Sequence, residues 1–250
     1  MDEVVEAKEK WISSAGAWIE GMRKGDRNRT HLLDPAMLDA VGDLSGKKVL
    51  DVGCGEGRFC RMMAERGASV TGVDLTPSLI SEAQKLDPDG SYIEASAESL
   101  PFADDQFDLS VSYVVLVDIP DYRAAIREMA RVTKPGGRIV AANVNSFISS
   151  SETSWHRDSE GRKAHFPVDR YFEERPLRLS WSGISIINWH RPLQAYMSAY
   201  LDAGLILRQF FEPMPSAEAV VEQPEMHDET RIALFNVMVW QKPSEHGEVA

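Results

Sequence analysis

Three glycines, Gly53, Gly55 and Gly57, follow the apolar run Val49-Leu50-Asp51-Val52, so that an acid stands at the mouth of a glycine loop. Such a loop directly after a strand lets a ligand come close to the backbone. In the dinucleotide fingerprint G-x-G-x-x-G the third glycine allows helix and strand to pack closely. Here that third position is Arg58, and Glu56 joins Asp51 at the loop. Two carboxylates repel a pyrophosphate but attract an ammonium or a sulfonium. Asp74 ends the next apolar run, about twenty residues on, where a carboxylate can accept both hydroxyls of a ribose. The ribose argument fits NAD equally well. The glycine spacing and Asp51 are what separate NAD from a cationic nucleoside.

A ligand with an adenosine, a cationic sulfur and a zwitterionic amino-acid tail meets these demands, which points to S-adenosylmethionine. Methyl transfer from a sulfonium needs a positioned acceptor and exclusion of water, and an acceptor that carries a proton calls for a base. His190 is the first candidate, because it precedes Arg191-Pro192 at the start of a helical pattern, and histidine titrates near neutral pH. Asp118, after the fourth apolar run, is the second, provided burial raises its pKa. No carboxylate cluster suggests a metal.

The elements that must hold these residues alternate between Lys47 and Asn143. "KKVLDV", "ASVTGVD", "SYIEA", "FDLSVSYVVL" and "RIVAANV" read as strands, with helical spacing in "GRFCRMMAERG", "TPSLISEAQKL" and "DYRAAIREMARVTKPGG" between them. Thr76 is the expected N-cap of the second of these helices, with Pro77 at its first position, and Pro135 and two glycines are expected to close the third. Alternating strands and helices imply parallel pairing, and strands buried on both faces read as near-continuous apolar runs. "GLILRQFFEP" and "RIALFNVMVWQK" read as an antiparallel pair joined by a Pro-rich loop, Pro213 to Thr230, that holds no helix.

"VLDVGCGEGRF", "VTGVDLTPSLI" and "ASAESLPFADDQFDLSVSYVVLVDIPDYRAAIREMARVTKPGGRIVAAN" together resemble the class I S-adenosylmethionine-dependent methyltransferases, in their menaquinone/ubiquinone-type small-molecule branch. "HRPLQAYMSAYLDAGLILRQFFEP" is similar to that branch as well. The resemblance implies an α/β fold: a Rossmann-like seven-stranded mixed sheet, last strand antiparallel, with helices on both faces and a substrate cap. It implies that Asp51, Gly53 and Gly55 shape the methionine pocket, that Asp74 holds the ribose, and that Leu75 packs on the adenine. Ser96 stands where relatives carry an adenine-binding Asp, so Ser96, Ala97 and Glu98 fall at the adenine. Ser112 and Tyr113 fall near the methionine. Val117-Asp118 replaces a His pair of many relatives.

The expected organisation is an N-terminal helical cap segment (1–45), a cofactor-binding core (46–145), a cap insertion (146–190), and a C-terminal helix with the strand pair that completes the sheet (191–250). All six tryptophans lie outside residues 47–143. Either they pack the added elements onto the core, or several line a pocket over the glycine loop; Trp155, Trp181 and Trp189, with Tyr171, are the candidates for an acceptor pocket. Residues 155–191 hold seven basic and five acidic side chains. That balance suits either a planar aromatic or heterocyclic acceptor, anionic or not, or a lid whose charged face is simply solvated.

The net charge of −12 argues against a sequence-independent nucleic-acid binder, which needs a basic face. The two cysteines, Cys54 and Cys60, suggest neither a disulfide framework nor a metal site. The start lacks the apolar core of a signal peptide, and no apolar run reaches the length of a membrane span. A reducing, cytoplasmic setting and a small-molecule methyl acceptor are therefore expected. A NAD-dependent oxidoreductase and a catalytically inactive S-adenosylmethionine-binding module are the alternatives.

Overall fold

The computed structural model describes residues 3–151 and 154–244. Helix α1 (Glu3–Lys24), a wide helical turn (Arg29–Leu33) and α2 (Asp34–Val41) precede strand β1 (Lys48–Val52). Then come α3 (Arg58–Ala64), β2 (Ser69–Asp74), α4 (Pro77–Leu86), β3 (Ser91–Glu94), β4 (Phe107–Tyr113), a 3-10 turn (Leu116–Asp118), α5 (Tyr122–Val132) and β5 (Thr133–Val144). Helix α6 (Ser146–Ser150) leads into two hairpins, β6 (His156–Arg157) with β7 (Lys163–His165) and β8 (Arg175–Trp181) with β9 (Ile184–His190). Helix α7 (Leu193–Asp202), β10 (Ile206–Phe211), α8 (Ala217–Glu222), a 3-10 turn (Pro224–Thr230) and β11 (Phe235–Gln241) follow.

Seven strands form one sheet in the order β10-β11-β5-β4-β1-β2-β3. The pairs from β3 through β5 are parallel, and β11 runs antiparallel to both β5 and β10. The apolar runs are central because both of their faces are covered. Leu50 and Val52 of β1 meet Ile126 and Met129 of α5, while Val49 meets Met37 of α2 and Met63 of α3. Tyr200 stacks on Trp240 at 4.7 Å and fixes α7 against β11. The order reverses at β1, between β4 and β2, which opens a crevice over the strand C-termini.

The structure corrects several local expectations. Thr76 occupies the N-cap of α4, but its hydroxyl makes no cap bond; Asp74 Oδ1 accepts from Thr76 N at 2.8 Å instead. Helix α5 ends at Val132, and the Lys134-Pro135-Gly136-Gly137 segment already belongs to β5. Pro192 is the extended N-cap of α7, not its first helical residue. The segment from Pro213 to Thr230 does contain a helix, α8, capped by the Ser216 hydroxyl, which accepts from Ala219 N.

Residues 146–190 do not form one cap. The β6/β7 hairpin is held by the C-terminal region: Lys163 is bonded to Asp228, and Arg231 donates to the carbonyls of Lys163 and Ala164. The β8/β9 hairpin packs on α1. Its turn is Ser182-Gly183 with φ of 45° and 83°, the positive pair a two-residue hairpin requires. Ser14 of α1 donates to Ser185 O at 3.0 Å and accepts from Ser185 N at 2.9 Å, so one hydroxyl satisfies the edge of β9.

Candidate active site

The glycine loop is fixed by β2. Gly53 N and Cys54 N both donate to Val73 O, at 2.8 and 2.9 Å, and Gly55 N donates to Asp74 Oδ2 at 3.0 Å. Gly53, Gly55 and Gly57 have φ of 75°, 57° and 77°, a region that disfavours side chains. A Cβ on Gly53 would fall 2.0 Å from Val115 Cγ2, whereas one on Gly55 would meet Trp18 Nε1 at an ordinary contact distance of 3.7 Å. Arg58, in place of a third glycine, forks onto Asp34 with two bonds of 2.7 Å, and Tyr113 Oη donates to the same carboxylate at 2.7 Å. The loop is thereby tied to the start of α2.

Above the loop lies a cavity of about 300 Å³, lined on one side by Gly53, Gly55, Asp74 and Leu75 and on the other by Trp11, Trp181, Asn188 and Asp118. A smaller cavity of about 40 Å³ beside it holds Asp51, Glu56 and Cys54. Arg29 and Trp18 line both. The Arg29 guanidinium lies 5.3 Å from the Trp18 ring centre and 4.8 Å from that of Tyr113. Asp51 Oδ2 accepts a 3.2 Å bond from Cys60 Sγ, while Oδ1 is buried with no partner. Burial pushes Asp51 up to about 7 and Asp118 up to about 8, and it raises Asp74 against the bonds from Thr76 and Gly55. Asp118 is held by Asn188 Nδ2 and by Trp11.

The methyltransferase-domain family matches residues 50–141. An S-adenosylmethionine-dependent methyltransferase from Mesorhizobium loti superposes with a TM-score of 0.78 at 27% identity, over 87% of this chain and 99% of that one. The chain carries a class I S-adenosylmethionine-dependent methyltransferase domain. A Listeria monocytogenes structure described in the same terms aligns with a TM-score of 0.74 at 27% identity, covering 84% of this chain and 97% of its own. A Xanthomonas oryzae ubiquinone biosynthesis O-methyltransferase is 36% identical over 145 residues, 55% of this chain and 60% of that protein. An uncharacterized Mycobacterium tuberculosis protein is 41% identical over 111 residues, 43% of this chain and 40% of its own. The chain thus spans about half the length of the curated relatives it matches. The domain's cofactor is S-adenosylmethionine.

Of the residues singled out in the sequence, the methyltransferase domain gathers Gly53, Gly55, Asp74, Leu75, Ser96, Ala97, Glu98, Tyr113, Asp118 and Trp181 around the larger cavity. Asp51 reaches only the smaller one. Five others lie elsewhere. Ser112 points to the opposite face of β4 from Tyr113 and is fully buried. His190 is fully buried, with Nδ1 bonded to Ser149 Oγ and Nε2 to Tyr171 O, both at 2.8 Å. Neither nitrogen is left to take a proton from a ligand, and burial lowers its pKa. The structure therefore moves the base assignment away from His190. Tyr171 faces Phe147 and accepts from Leu193 N through its hydroxyl. Trp189 neighbours Arg191, and Trp155 packs against Phe166 and Arg231.

Sequence reading missed Arg29 and Asn188, and it raised Trp11 and Trp18 only among six tryptophans, several of which were to line a pocket over the glycine loop. The signal for these two was present: tryptophans two turns apart on α1 share one helix face. Nothing local marks Asn188, whose place depends on the register of β9 against α1.

Proposed function

We propose that the chain transfers the methyl group of S-adenosylmethionine to an oxygen, nitrogen or carbon of a small molecule bound beneath Trp11 and Trp181. The supporting observation is that one cavity joins the glycine loop to the Asp118 end, so donor and acceptor can share a single space. The residues suit the cofactor. Asp74 would accept from the ribose hydroxyls, while Leu75, Ser96, Ala97 and Glu98 would border the adenine. The unpartnered Asp51 Oδ1 would accept from the ammonium, directly or through water, and Arg29 would neutralise the carboxylate. When bound, the cofactor supplies an electrophilic methyl on sulfur. Asp118 would hold or accept the acceptor's proton, a role for which its pKa of about 8 suits it. The apolar walls favour an acceptor with a flat, largely apolar body.

Calorimetry with S-adenosylmethionine, S-adenosylhomocysteine and NAD tests this reading. Both adenosyl compounds should bind and NAD should not. Asp74→Asn should weaken S-adenosylhomocysteine binding by roughly 1.5–3 kcal/mol, the range for hydrogen bonds to a charged group. Gly55→Val should abolish binding, because its side chain would stand in the cavity. Binding of NAD in preference to both adenosyl compounds would overturn the assignment.

A further inference from the structure

The lid segment is basic, but its charge is turned away from the cavity. Arg175 donates to the carbonyl of Ser150, and Arg191 to those of Leu116, Ile119 and Pro120. Arg178 pairs with Glu6, Arg162 with Asp158, and Lys163 with Asp228. Among the described residues lining the cavity Arg29 is the one basic side chain, and it belongs to the glycine-loop side, stacked between Trp18 and Tyr113. No basic side chain other than Arg29 is there to meet an anionic acceptor among the described residues of the lining.

What the far end offers is acceptors and aromatic rings. Asp118 lies there, and no salt bridge to it is found among the described residues. An ionised carboxylate accepts only, so Asn188 must turn its NH₂ toward Asp118, as it does, and this leaves the amide oxygen as a second acceptor at the cavity wall. The Trp11 indole N–H is directed to Asp118. Trp11 and Trp18 meet edge to face at 5.4 Å and 77°, and Trp181 closes the same wall. The apolar rings beside Asp118 suit the body of a ligand whose charged end the carboxyl group holds. Two acceptors close together suit a group with several hydrogens to donate; a phenol offers one and a carboxylate none.

We infer that the acceptor end of this cavity is a site for a small amine with an apolar or aromatic body, its ammonium donating to Asp118 and to the Asn188 amide oxygen between the tryptophan rings. The arriving ammonium draws Asp118 into its carboxylate form, the carboxyl's own proton going to solvent, and one proton then passes from the ammonium to that carboxylate, which leaves a neutral amine with its lone pair free. This inference rests on the methyl-transfer reading above and narrows its acceptor.

Three near-isosteric probes, phenethylamine, 2-phenylethanol and phenylacetate, test it by calorimetry on the full chain saturated with S-adenosylhomocysteine. The amine should bind at least about tenfold more tightly than the alcohol, a difference of about 1.4 kcal/mol, and phenylacetate should bind least. Asp118→Asn should lose about tenfold or more in amine affinity with little change for the alcohol. Asn188→Leu should act in the same direction and serves as the test if the first variant does not fold. Equal binding of the three probes, preference for the alcohol or the acid, or no binding of the amine would overturn the amine site while S-adenosylhomocysteine binding still stood. Failure to bind S-adenosylhomocysteine would instead strike the methyl-transfer reading itself.

Discussion

Asp118 is a carboxyl group that the fold removes from water and holds with two uncharged donors, Asn188 and Trp11. Its folded pKa of about 8 stands above the unfolded value. Between about pH 4 and about pH 8 the folded chain therefore keeps a proton that the unfolded chain has released, and stability falls as pH rises through that window. Asparagine keeps the shape and cannot ionise. The Asp118→Asn variant should thus melt higher than the parent at about pH 9, with the gap shrinking toward about pH 5. Asp51 has the same sign of shift in both proteins and cancels in the difference. A gap independent of pH, read from paired melting curves, would mean that Asp118 titrates as an exposed carboxylate. The acid flank is set differently. His190 is neutral because burial lowers its pKa, so His190→Ala should reduce stability near neutrality without creating or removing a base at the cavity.

At the scale of elements, α1 is the roof beam. Its Ser14 satisfies both backbone groups of Ser185, its Trp11 and Trp18 reach the cavity, and Arg23 near its end pairs with Glu82 of α4. Ser14→Val would leave the Ser185 N–H and carbonyl without these partners. That should cost about 1–3 kcal/mol, lower the melting temperature, and speed hydrogen exchange at Ser185. A variant as stable as the parent would show that the tryptophans, not this hydroxyl, hold α1. Legibility divides along the same lines. The parallel strands are readable because burial on both faces makes each one a continuous apolar run, and the glycine loop and Asp74 are readable because backbone geometry demands particular residues there. The lid is harder. "WSGI" carries a two-residue hairpin turn that went unread, since β8 and β9 face water and α1 on different sides and do not alternate cleanly. His190 looked available because a junction next to proline is commonly exposed. Its burial depends on α6 and Tyr171, whose approach no local pattern encodes.

For the whole molecule, the cavity proposed for the cofactor lies where two differently built halves meet. The sheet side, with β1 and β4, is buried on both faces, whereas the roof of α1 and the β8/β9 hairpin is partly exposed and held by a few polar bonds. A ligand between them would contact both, and in its absence the roof should be the half that opens at the lower free energy. S-adenosylhomocysteine at about 100 times its Kd adds roughly 2.7 kcal/mol of stability, which for a chain of this size raises the melting temperature by about 5–10 °C. Hydrogen exchange should then slow about a hundredfold in β1, β4 and β5, whose amides open only with global unfolding, and also in α1 and β9 if their opening releases the ligand. Slowing confined to the sheet would mean that the ligand stays bound while the roof opens, and that α1 and the hairpin are not what holds it.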